Sequence, residues 1–127
     1  MAAAGAVRET AAMIAGMRPA LQPGTWSFVT LGPDDPRLSQ ALATMREPEG
    51  LSVILPAGDD DPLPMAHILL QVTSALDGVG LTAAVSTALA AADIPCNVVA
   101  GHHHDHIFVP QSQANAALRI LERRAAE

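Results

Sequence analysis

The residues most able to do chemistry fall in two short runs. The first, Ser74-Ala75-Leu76-Asp77-Gly78-Val79-Gly80-Leu81, places a carboxylate and two glycines just before an apolar stripe of helical period. A helix starting here leaves the amides of its first turn without intrahelical partners, at the positive end of its dipole. Such a turn can take a carboxylate or phosphate, and the glycines let a ligand come close to the backbone. Asp77 can meanwhile face an ammonium group, so one turn would hold both ends of an amino acid. A second reading stays open on local sequence. Asp77 is a good helix N-cap, and Gly78 and Gly80 would then serve only tight helix–sheet packing.

The second run is Gly101-His102-His103-His104-Asp105-His106. Imidazole suits zinc, copper, iron and nickel. The spacing nevertheless defines no site: an extended run puts His102, His104 and His106 on one face, whereas a hairpin turn splays them. His67 belongs to a distant strand, and no glutamate sits in the helical H-E-x-x-H arrangement. No metal is therefore expected, and His104, Asp105 and His106 are expected to form a local hydrogen-bond network at a hairpin or subunit contact. Asn97 opens a strand expected to lie beside residues 65–72, which would bring its amide toward Asp77. Cys96 has no evident activating base and reads as a packed thiol. No nucleophile elbow or P-loop occurs, and Asp59, Asp60 and Asp61 read as a solvated loop. The chain is expected to be neither an enzyme nor the holder of a cofactor.

The elements that must position these groups are bounded by composition. The chain has 127 residues and is 50% hydrophobic, enough for one compact domain or two small halves sharing a core. Aromatics make up only 2% (Trp26, Phe28 and Phe108), so the core must be built from Ala, Leu, Val, Ile and Met. The net charge is −6 and the seven basic residues, all arginine, are scattered, which excludes nucleic acid as a main partner. A lone Cys96 cannot form an internal disulfide and fits a reducing compartment. The first 19 residues lack the cationic start and long apolar run of a leader. Uncharged runs at 62–76 and 78–92 fall short of the roughly 18 residues that a membrane span needs. A soluble cytoplasmic protein is expected.

Periodicity predicts an amphipathic helix over 6–17, ended by Arg18-Pro19, and a strand over 26–31. A short helix should run from Asp35-Pro36 to Leu42, followed by a strand over 51–55. Residues 57–64, AGDDDPLP, read as a linker between halves 1–64 and 65–127. The second half reads as a buried strand at 65–72, a helix at 78–92, strands at 95–100 and 107–110, and a helix at 111–124. The helical stripes are Leu81, Val85, Ala88, Leu89 and Ala92, then Ala114, Ala117, Leu118 and Leu121. This is the order of a ferredoxin-like βαββαβ unit without its last strand. Residues 26–31 and 51–55 are the expected donors of the missing strand. The fold class is α+β, an antiparallel sheet covered on one face by helices.

Three segments carry a resemblance: REPEGLS at 46–52, SALDGVGLTAAVS at 74–86 and IPCNVVAGHHHDHIFVP at 94–110. They resemble a bacterial family of small ACT-domain proteins, over nearly the whole chain from about Met17. The resemblance implies two ACT-like halves in tandem that exchange an edge strand. It also implies a small ligand, most often an amino acid, at the first strand–helix turn, here Asp77, Gly78, Val79, Gly80 and Leu81 with Asn97 adjacent. A homodimer serving as a regulatory module is the implied form. A ligand-free interaction module, and less readily a metal-binding protein through residues 102–106, are the alternatives. The chain departs from the family at His102 and His103, where aromatic residues are usual, and at Pro48, which interrupts an acidic run.

Overall fold

The computed structural model describes residues 5–127. Its elements are α1 (Thr10–Ala15), β1 (Pro19–Leu21), β2 (Trp26–Leu31), a 3-10 helix (Pro36–Gln40), β3 (Ala43–Glu47) and β4 (Gly50–Pro56). Then come β5 (Met65–Leu70), α2 (Leu81–Ala90), β6 (Asn97–Ala100), β7 (Asp105–Pro110), a second 3-10 turn (Gln111–Gln113) and α3 (Ala114–Ala126). All strands join one antiparallel sheet in the order β3-β4-β2-β5-β7-β6, with β1 also on β5. The class is α+β and ferredoxin-like, as the element order predicts.

The missing strand comes from the first half, but from a different segment than expected. β1 pairs Pro19 with Leu70 and Leu21 with Ile68 along β5. The chain then bulges and rejoins the same edge through Trp26 opposite Met65. Residues 51–55, the other expected donor, never touch β5: β4 is taken up by β2 and β3 within the first half. β2 alternates well enough to be read as a strand. PAL at 19–21 is too short to show any period and becomes a strand only because β5 offers it hydrogen bonds. β3 is equally invisible alone. Its ATMRE is polar and pairs with β4 from Ala43 opposite Ile54 to Glu47 opposite Gly50.

The first helix is half the expected length. Both Glu9 carboxylate oxygens accept backbone amides, from Ala11 and Ala12 at 2.9 Å each, and this cap starts the helix at Thr10. Residues upstream are drawn into the sheet-side turn instead, where Val7 bridges Ser74. The second predicted helix is likewise only a 3-10 turn, capped by Asp35.

One sheet face carries the main core. Ala66, Ile68 and Leu70 of β5 and Ile107 and Val109 of β7 pack under Leu81, Val85 and Leu89 of α2 and Ala117 and Leu121 of α3. Met13 and Met17, from before the strand exchange, are buried in that same core. A smaller core of Leu31, Val53 and Leu55 lies under the 3-10 helix.

Among the described residues, no helix packs on the other face. Phe28 meets Phe108 edge-on at 5.3 Å, and Ile54, Met65 and Phe108 are buried there with Trp26 against them. His67 sits in this layer, stacked on Phe108 at 4.8 Å, with its Nε2 2.8 Å from His106 Nδ1. Alternation along β5 and β7 puts both rings on one face, so His67 is not remote from the histidine run as its sequence position suggests. Burial, followed by the neighbouring His106, pushes the His67 imidazole down to about 4. The unfolded chain, with histidine near 6.5, binds this proton earlier on acidification than the folded chain. His67 therefore contributes stability above pH 6.5 that is lost as the pH falls toward 4. Thermal denaturation of the wild type should show a midpoint falling across that window, with a flatter profile for His67→Gln. Equal slopes in the two proteins would refute the assignment.

Candidate functional site

The candidate site is the turn between β5 and α2. α2 begins at Leu81, with Gly80 as the residue before it at φ +108° and no side chain capping its first amides. Asp77 is not the N-cap that its type suggests, because the turn runs on for three residues before helical geometry starts. Its carboxylate Oδ1 instead accepts from Arg8 Nε at 3.0 Å, between two largely exposed side chains.

The segment carrying Arg8 lies across the turn. The Val7 amide donates to the Thr73 carbonyl at 2.7 Å, and the Ala75 amide donates to the Val7 carbonyl at 2.8 Å. Thr10 Oγ1 donates to the Val79 carbonyl at 2.6 Å. This packing accounts for the glycines. A Cβ at Gly78 would meet Met13 Sδ at 2.8 Å, and one at Gly80 would meet Thr10 Cγ2 at 2.6 Å. The close approach that glycine permits is thus made by the protein's own α1.

Two cavities flank the turn. The first, about 340 Å³, runs from Gly78, Val79, Gly80 and Leu81 across to Gly101 and Asp105 at the β6–β7 hairpin. Asp105 is half-buried and accepts from Ser74 Oγ at 3.5 Å. Burial raises its carboxyl above the usual range, against smaller opposing effects of Ser74, His106 and His104. The second cavity, about 230 Å³, is bounded by Arg8, Asp77, His102 and His103. Ser74, Ala75 and Leu76 belong to both walls.

Asn97 does not join this site. β6 pairs with β7 and not with β5, so Asn97 stands opposite Phe108 while Ala100 stands opposite Asp105. Three residues at about 3.4 Å each carry it some 10 Å from the turn, to a different cavity beside Phe28 and Met65. The expected network of His104, Asp105 and His106 does not form either. Successive residues of β7 point to opposite faces, so Asp105 reaches Ser74 while His106 reaches His67. His104 is held in a turn closed by the Gly101 amide on its carbonyl at 2.9 Å. His102 and His103 stack at 4.7 Å. Among the described residues, no three His, Cys, Asp or Glu side chains converge on a point that could hold a metal ion. No helix among them is long and apolar enough to cross a membrane. Cys96 packs against the main core, and burial raises its thiol.

Arg8, Thr10 and Asp105 thus help to build the site without any sequence signal placing them there. Arg8 and Asp77 are 69 positions apart. The two roles of the turn separate by mutation. Asp77→Ser should leave the melting midpoint of the unliganded protein unchanged, since an exposed ion pair adds little. Gly80→Ala should cost about 1–3 kcal/mol from positive φ alone, with the Thr10 collision added to it. Denaturant titration of both variants checks this, and a destabilised Asp77→Ser beside a neutral Gly80→Ala would reverse the assignment.

The chain is similar to known proteins. A family model described as ACT domain matches residues 6–67, and a second with the same description matches residues 66–123. A solved structure from Vibrio cholerae, described as a protein of unknown function and possible transport protein, is 39% identical. It aligns over 91% of this chain and 94% of its own, with a TM-score of 0.78. A protein from Agrobacterium tumefaciens, 18% identical over 84% of this chain and 87% of its own, shares the fold with a TM-score of 0.66. No functionally curated protein matches the chain. With one ACT match ending where the next begins, and the sheet completed by strand exchange between them, the chain belongs to the ACT-domain family as a small tandem ACT-domain protein.

Proposed function

We propose that the protein is a non-catalytic regulatory module that binds an amino acid in the 340 Å³ cavity at the β5–α2 turn. ACT domains are small-molecule-binding regulatory units, and this cavity lies at the first strand–helix turn of the second one. The observation that carries the reading is the pairing of opposite chemistries across one small space. On one wall, α2 starts at Gly80 and Leu81 without a side-chain cap, which suits a carboxylate. On the other is the half-buried Asp105 carboxyl, whose ionised form is disfavoured by burial. A ligand ammonium there would restore the balance. Asp105 thereby takes the role that the sequence suggested for Asp77, whose carboxylate Arg8 already holds.

A thermal-shift screen against the twenty amino acids tests the proposal. A ligand at a hundred times its Kd adds about 2.7 kcal/mol, which raises the midpoint by several degrees in a domain of this size. Asp105→Asn should keep the unliganded midpoint and lose most of the shift. No response to any amino acid, or a full response from Asp105→Asn, would overturn it.

The module acts in this reading as a cytoplasmic homodimer, with halves 1–64 and 65–127 as its two ACT units. Support for association lies in the sheet. β3 and β6 end the sheet, and Phe28 and Met45 remain 47% and 66% exposed on the face opposite the main core. Unpaired edges and exposed apolar side chains are surfaces that natural proteins cover. Light scattering at micromolar concentration should give the dimer mass, and Met45→Asp should shift it toward the monomer. A monomeric wild type would rule the dimer out.

A further inference from the structure

The two cavities at the turn share a wall and carry opposite chemistry. Ser74, Ala75 and Leu76 line both, with Asp105 on the first cavity and Arg8, His102 and His103 on the second. The Arg8 side offers N–H donors. Arg8 meets Asp77 through Nε alone, unlike Arg37, which grips Asp35 through both Nε at 3.1 Å and Nη2 at 2.9 Å. Among the described residues the terminal NH₂ groups of Arg8 have no hydrogen-bond partner, so Asp77 orients the guanidinium without using up its fork. His102 and His103 stand on the same cavity, their rings stacked at 4.7 Å and tilted by only 14°. The hydrogen bond closing their turn, Gly101 amide to His104 carbonyl, fixes the backbone on which they sit. Asp77 is the one carboxylate on this wall, and it is already paired.

From this juxtaposition we infer that the ligand is an acidic amino acid, an inference that rests on the amino-acid reading above. The α-ammonium lies at Asp105, and the chain of the ligand runs along the Ser74–Ala75–Leu76 strip that lines both cavities. Its side-chain carboxylate then meets the guanidinium of Arg8 and the imidazole N–H groups of His102 and His103. A neutral side chain would leave those donors to water. An acid is therefore preferred over the amide of the same shape, because a charge-assisted, forked hydrogen bond exceeds a neutral one.

Isothermal titration of the full chain with L-glutamate, L-aspartate, L-glutamine and L-asparagine tests this. At least one acid should bind about tenfold or more tightly than its own amide, a difference of about 1.4 kcal/mol. Arg8→Gln, and separately the double variant His102→Phe/His103→Phe, which keeps stacked rings but removes their N–H groups, should bring the acid down to the amide's affinity. Equal binding of acid and amide by the wild type, or an unchanged ratio in both variants, would overturn the inference. Binding of a neutral amino acid such as L-leucine with none of the acids would overturn it too, while leaving the amino-acid reading standing. Binding of no amino acid at all would remove both.

Discussion

Strand β5 must satisfy hydrogen bonds along both of its edges, and the rest of the molecule follows from how it does so. One edge pairs with β7 from Met65 to Leu69. The other takes β1 from Pro19 to Leu21 and then the first residue of β2. A chain segment that precedes β5 by some fifty positions in sequence thus supplies the strand its unit lacks. The requirement is strict because β5 is buried on both faces, with Ile68 and Leu70 fully enclosed, and an unpaired amide there would cost on the order of 1–3 kcal/mol. The same pairing carries the chain from one unit to the next, so the sheet is continuous from β3 to β6.

That constraint also builds the site. Because β1 is tied to β5, the residues just before it are confined to the helix side of the sheet, over the turn that follows β5. Met13 and Met17 are buried in the main core, and the backbone of residues 7 and 75 is hydrogen-bonded. The glycines of the turn answer to this packing first. Their lack of side chains leaves room for Met13 and Thr10, and the cavities lie to either side of the contact. The walls of both cavities are therefore built from both units.

The histidines show how alternation distributes one dense run into three environments. His102 and His103 stay at the hairpin tip and face the Arg8 cavity. Asp105 and His106, neighbours in sequence, go to opposite faces of β7. His106 joins His67 in an aromatic layer, where burial favours the neutral rings. A run rich in imidazoles but without the spacing of a metal site becomes a cavity rim and a packed pair.

Period and composition were enough for the α+β class, the buried strand β5, the helix stripe of Leu81, Val85 and Leu89, and the glycine turn that joins them. These are local properties: a 3.6-residue stripe and a glycine turn depend on residues within a few positions of one another. The partners of that turn depend on contacts across the whole chain. PAL and ATMRE become strands only by pairing, Arg8 meets Asp77 over 69 positions, and Asp105 enters the cavity wall through the register of β7 on β5. Register decides which of two adjacent side chains faces a site, and nothing in the local sequence carries it, because shifting a strand by one residue preserves its composition while reversing its faces.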